Sequence, residues 1–152
     1  MWITPTPLMI FLFVYWLAAG NLVFASGDDT RSEIRLESCP GSPNCVSSLE
    51  VDDKHFIQPL IYAATKKSAY QNLVRIIESE PQARIVTRQA NYIHVAFKSK
   101  VLGFVDDVEF FFHLDQAVIH VRSASRTGYY DFGVNRRRIE AIRKSWETSQ
   151  IR

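Results

Sequence analysis

The sequence predicts an α+β fold: a four-stranded antiparallel sheet with two helices packed on one face. Three observations carry it. Between residues 83 and 123, four consecutive runs alternate apolar and polar residues. That is the period-two pattern of strands buried on one side only. Two stretches of helical periodicity, at about 65–79 and 136–147, bracket those runs. The third is a cross-strand ion pair. If Asp115-Gln116 is a two-residue turn, Glu109 falls opposite Arg122, and Phe112, Phe110 and Val108 fall opposite Ile119, Val121 and Ser123.

The chain has 152 residues, enough for one domain, and a net charge of +2. So small a global charge argues for neither nucleic acid nor an acidic membrane surface. Residues 1–25 carry no charge and include the apolar run Met9–Leu17. Val23-Phe24-Ala25 offers a cleavage site, and Ser26-Gly-Asp-Asp follows. This is the pattern of a secretory signal peptide, although no Lys or Arg precedes the apolar run. An uncleaved anchor over residues 8–24 is the alternative, since that length just spans a bilayer. Either way the protein is expected to be exported, to the periplasm or outside the cell. Residues 26–38 are polar and read as a linker, which leaves 39–152 as the domain.

Cys39 and Cys45 are the only cysteines. In an exported chain such a pair implies a disulfide. Pro40 and Pro43 stiffen the loop between them. Two cysteines without a nearby histidine make a poor zinc set. Val46–Val51 reads as a short strand, and the segment up to Pro59 as extended, because a residue before proline avoids the helical region. Thr65 caps the first helix, whose apolar face holds Ala69, Tyr70, Leu73, Val74, Ile76 and Ile77; Pro81 stops it. The strands run over 83–88, 92–98, 105–114 and 117–123.

The stretch from Arg122 to Arg138 stands out. It holds five arginines and one acid, Asp131. Asn135 is a candidate N-cap, with Val134 and Ile139 placed as a hydrophobic staple. The first helical turn would then be Arg136-Arg137-Arg138. Cations there oppose the helix dipole at about 0.3–1 kcal/mol each. One reading is an anion site made of free amides and guanidinium groups. The other is that the arginines pair with the protein's own Asp106, Asp107, Glu109, Asp131 or Glu140. Tyr129, Tyr130 and Phe132, between Gly128 and Gly133, either pack as core or close over a ligand.

The predicted register gathers Asp107, Glu109, His113, His120 and Arg122 on the polar sheet face, with His94 able to join them. That set invites a metal reading, but its spacing matches no ligand motif, and no metal or cofactor is expected. Ser123 and Ser125 could serve a hydrolase only with a histidine beside them.

Three blocks resemble a known family: Cys39-Pro-Gly-Ser-Pro-Asn-Cys-Val-Ser-Ser48, Gly103-Phe-Val-Asp-Asp-Val-Glu-Phe110, and Arg122 through Glu140. In order and content they are similar to the signature blocks of the domain of unknown function 1499 family. The resemblance implies that Asp106, Asp107, Glu109, Arg122, Ser123, Ser125, Arg126, Asp131, Asn135, Arg136, Arg138 and Glu140 fall on motif positions. It implies no reaction, because the family's biochemical role is unassigned.

The sequence-based expectation is therefore a non-catalytic envelope module that binds an anionic small molecule, a lipid headgroup or a peptide carboxylate. Arg122, Ser123, Ser125, Arg126, Asp131, Asn135, Arg136 and Arg138 would form the site. Asp106, Asp107, Glu109 and Glu140 would support it. Membrane association would run through the N-terminal segment. The alternatives are a hydrolase using Ser123 or Ser125, and a structural or assembly factor held by an internal ion network.

Overall fold

The computed structural model describes residue 1, residues 36–100 and residues 102–151. The expected signal or anchor segment, Met1 apart, and the linker over 26–35 lie outside the described residues. At the end of that linker Leu36 is buried, with 6 % of its surface exposed.

The elements are β1 (Cys45–Ser47), β2 (Leu60–Ile61), α1 (Lys66–Glu78), β3 (Ala83–Gln89), β4 (Tyr92–Lys98), β5 (Val105–Phe112), β6 (Val118–Ser125) and α2 (Val134–Gln150). The fold is α+β with two helices and an antiparallel sheet. The sheet has six strands, where four were expected. Its order is β1-β6-β5-β4-β3, and β2 also pairs with β6. β1 and β2 lie along the same edge of β6: Cys45 to Ser47 oppose Ala124 to Arg122, while Leu60 and Ile61 oppose Ile119 and Val118. Strands of three and two residues are too short to show a period-two signal; both pair along the β6 edge, and Ser47 of β1 also bridges to Phe56.

The β5–β6 register follows the ion-pair count. Phe112 faces Ile119, Phe110 faces Val121, Val108 faces Ser123 and Glu109 faces Arg122. The turn differs. β5 ends at Phe112, not Leu114, and β6 begins at Val118, not Ala117. The His113 amide donates to the Val118 carbonyl at 2.9 Å, and residues 114–117 form a wider turn. A two-residue hairpin turn favours Gly or Asn at positive φ, and Asp115-Gln116 supplies neither well. Leu114 consequently leaves the apolar face and is 43 % exposed.

Both helices contribute to one core on the apolar face. Ile93, Val95, Phe97, Val108, Phe110, Phe112, Ile119 and Val121 come from the sheet. Leu73 and Ile77 of α1, and Ile139, Ile142 and Trp146 of α2, complete it. Thr65 caps α1, its hydroxyl accepting from the Ser68 amide. The Trp146 indole N–H donates to the Ile61 carbonyl at 2.9 Å, which ties α2 to β2.

α2 starts earlier than expected. Its N-cap is Gly133 in the left-handed region, φ 74°, and its first residue is Val134. Asn135 is therefore inside the helix and fully buried, and no staple forms, because Val134 is 39 % exposed. The capping role passes to Asp131. Its carboxylate accepts from the Gly133 amide at 2.9 Å and the Asn135 amide at 2.8 Å.

Candidate functional site

The α2 start meets the ends of β5, β6 and the disulfide loop. Cys39 and Cys45 are joined as a disulfide. Just inside the loop, Asn44 is buried and donates to the Gly128 carbonyl at 2.5 Å. Asn135 is the hub. Its amide N–H2 faces the Asn44 carbonyl at 3.0 Å, the Ser125 hydroxyl at 3.0 Å and the Asp131 carboxylate at 2.9 Å. Its carbonyl accepts from the Ser123 hydroxyl at 2.5 Å and from Arg138 at 2.8 Å.

Arg138 also donates to Asp106 at 2.5 Å, and its guanidinium lies over the Phe97 ring, 4.9 Å from the centroid. Asp106 is only 7 % exposed, so this is a buried, hydrogen-bonded ion pair. Arg136 reaches the carbonyls of Phe56 at 2.8 Å and Lys54 at 2.9 Å. Arg137 donates to the Phe132 carbonyl at 2.8 Å.

The opposite sheet face carries a second set. Arg122 donates to Glu109 at 2.9 Å, and the Tyr92 hydroxyl donates to the same carboxylate at 2.6 Å. Arg126 grips Asp107 with two bonds of 2.8 Å, and the His94 ring meets Asp107 at 2.7 Å. Arg126 hydrogen bonding holds the Asp107 carboxyl below its usual range, with His94 adding to the effect. Burial, then the bond to Glu109, pushes the Tyr92 phenol well above its usual value. Burial and the neighbouring His113 push His120 down. The Arg122 Nε is buried with no partner.

The expected site residues thus divide. Ser123, Ser125, Asp131, Asn135, Arg138 and Asp106 meet on the helix side. Arg122, Arg126, Glu109 and Asp107 meet on the other face. Arg136 points to the 54–56 segment. Glu140 joins neither group and pairs with Arg143 at 3.0 Å. The arrangement gives each guanidinium an oxygen partner of its own. Arg137 and Arg138 line a small cavity of about 260 Å³, with Glu80, Phe97 and Val134.

Ser123 has no exposed surface, and its hydroxyl is taken up by Asn135 and Arg138. The four histidines of the chain are engaged elsewhere. His55 meets Asp52, His94 meets Asp107, His113 packs edge-on to His120, and His120 meets the Ser48 hydroxyl at 3.2 Å. No serine–histidine contact at Ser123 or Ser125 is found among the described residues. Nor is there a group of three metal-ligating side chains among them.

The 126–133 loop is where the sequence reading left two alternatives. Tyr129 is 72 % exposed, Tyr130 59 % and Phe132 76 %. They do not form core. Tyr130 and Phe132 touch each other edge to face at 5.0 Å. Phe132 has φ 54°, a conformation that bulky residues rarely adopt.

A family model described as "Protein of unknown function (DUF1499)" matches residues 35–145. The chain belongs to this family. No curated protein matches the chain. The DUF1499 match covers β1 to most of α2, so it takes in the disulfide loop, both ion-pair sets and the aromatic loop. Residues that the sequence did not mark as part of the DUF1499 network are Asn44 and Tyr92. Asn44 acts through its side-chain amide on Gly128 and its backbone carbonyl under Asn135, contacts across 84 and 91 residues that no local pattern announces, and a tyrosine alternating within a strand carries no special signal.

Proposed function

We propose that this domain is a non-catalytic module of the cell envelope that binds a partner through the 126–133 loop. In this reading the arginines and acids are the frame and the three aromatic rings are the contact surface. Export is part of the proposal. It is supported by the apolar N-terminal sequence and by the disulfide, a bond that persists in oxidising compartments.

The observation that carries the proposal is Phe132. A phenylalanine held at positive φ with its ring in water stores strain and buries little. Asp131, Gly133 and Arg137 hold it there through bonds to the adjacent backbone. Folding alone gives no reason to keep such a residue, whereas presentation to a partner does.

The test is Phe132→Gly, followed by chemical denaturation. Glycine relieves the left-handed conformation, at about 1–2 kcal/mol, against its extra chain entropy of about 0.5–1 kcal/mol. The expected outcome is unchanged or slightly raised stability. A loss above about 1 kcal/mol would make the ring structural and sink the proposal.

A further inference from the structure

The loop does not stand alone. The Arg126 amide donates to the Val105 carbonyl at 3.0 Å, so the chain entering β5 runs beside the chain leaving β6. Where β4 gives way to β5, the Ser99 amide donates to the Phe104 carbonyl at 2.8 Å. Phe104 is 53 % exposed and Leu102 is 72 % exposed. Two adjacent loops at one end of the sheet therefore project Leu102, Phe104, Tyr129, Tyr130 and Phe132 into solvent. Those rings and the leucine stand on loop tips, which suits insertion better than reception.

Cations stand beside both loops. Lys98 and Lys100 are exposed and have no ion pair among the described residues. The Lys98 side chain runs past Gly103. Among the described residues Arg137 donates to a backbone carbonyl and to no carboxylate. The acids at the loop roots are already committed: Asp106 to Arg138, Asp107 to Arg126 and Asp131 to the helix amides. Glu80 stands beside Arg137 as a counter-charge, and the loops themselves present their rings with Lys98 and Lys100 outward. Tyrosine and phenylalanine partition to the boundary of a bilayer, and flanking lysines favour anionic headgroups.

We infer that this end of the sheet docks on an anionic bilayer surface, with Leu102, Phe104 and the 126–133 loop entering the headgroup region. The inference rests on the reading of the aromatic loop as a contact surface and names its partner.

The experiment uses the full chain carrying Thr127→Cys, spin-labelled, with the native disulfide intact. Thr127 is exposed and lies in the loop without being one of the rings. Ser145→Cys, on the exposed part of α2, is the control. Vesicles of phosphatidylglycerol with phosphatidylcholine are compared with phosphatidylcholine alone. The apolar 8–24 segment can bring the whole chain to any vesicle, so depth at each label is read by oxygen against nickel-chelate accessibility, not by co-sedimentation.

The label at 127 is expected to enter the lipid interface on the anionic vesicles, while that at 145 stays in water. Adding Phe132→Ser should lower the inserted fraction by roughly tenfold. Each of Lys98→Gln and Lys100→Gln should lower it by about fivefold. A label at 127 that remains as water-exposed as that at 145 overturns the bilayer inference. If Phe132→Gly is then neutral to stability, the presented loop survives with a protein partner. If it is destabilising, the contact-surface reading falls separately.

Discussion

At the scale of single residues, the decisive fact is that the arginines are partnered by the protein itself. Arg138 and Asp106 illustrate it. Both are largely buried, with side chains 13 % and 9 % exposed. Removing one partner of such a pair leaves an uncompensated charge, which typically costs about 3–5 kcal/mol. Arg138→Met should therefore lower the melting temperature by roughly 10 °C or more, read by circular dichroism. Arg138→Met with Asp106→Leu should recover more than half of that loss, because no buried charge then remains. A double variant no better than the single would mean the guanidinium acts mainly through Asn135, Ser123 and Phe97. The sequence showed that these charges were close. It did not show which arginine met which acid, because Asp106 and Asp107 point to opposite faces and each face had arginines in reach.

At the scale of elements, α2 shows both what patterning reveals and where it stops. The recurrence of Ile139, Ile142 and Trp146 placed the helix and its buried face. The start was missed by two residues. Asn135 has the chemistry of a cap, but the buried hub uses its side chain and Asp131 supplies the capping oxygens. Local preference yielded there to tertiary hydrogen bonding. The strands behaved in the same way. β3 to β6 were legible from alternation, and the Glu109–Arg122 pair fixed a register. A short strand was read at Val46–Val51 and lies at Cys45–Ser47, but its place in the sheet was not legible, and β2 was not read as a strand, since an edge pairing of two or three residues leaves no period. The cap assignment predicts an ordered pair of results. Asp131→Ala should destabilise by about 1–2 kcal/mol in urea titration, as loss of a cap does. Asp131→Asn keeps only one of the two accepting oxygens and turns an NH2 toward the other donors, so it should recover only part of that loss. Equal effects would mean that the loop requires the whole carboxylate and not one oxygen.

At the scale of the whole domain, the disulfide loop is a clasp on the aromatic surface. The bond from Cys39 to Cys45 closes a loop with a sequence separation of 6. So short a closure stabilises the fold by only about 2 kcal/mol in the chain-entropy model. Its larger effect is positional. Asn44 sits one residue before Cys45 and holds both the Gly128 carbonyl and the Asn135 amide, the two roots of the loop that carries Tyr129, Tyr130 and Phe132. Cys45 is itself anchored in the sheet opposite Ala124. Reduction should thus leave the six strands and both helices in place while freeing Asn44. The expected result is unchanged far-ultraviolet circular dichroism, a small fall in melting temperature, and faster amide exchange confined to about residues 126–135. Exchange that quickens evenly across the sheet would show that the disulfide supports the core as a whole, and that the loop is set by Asp131 and Arg137 without it.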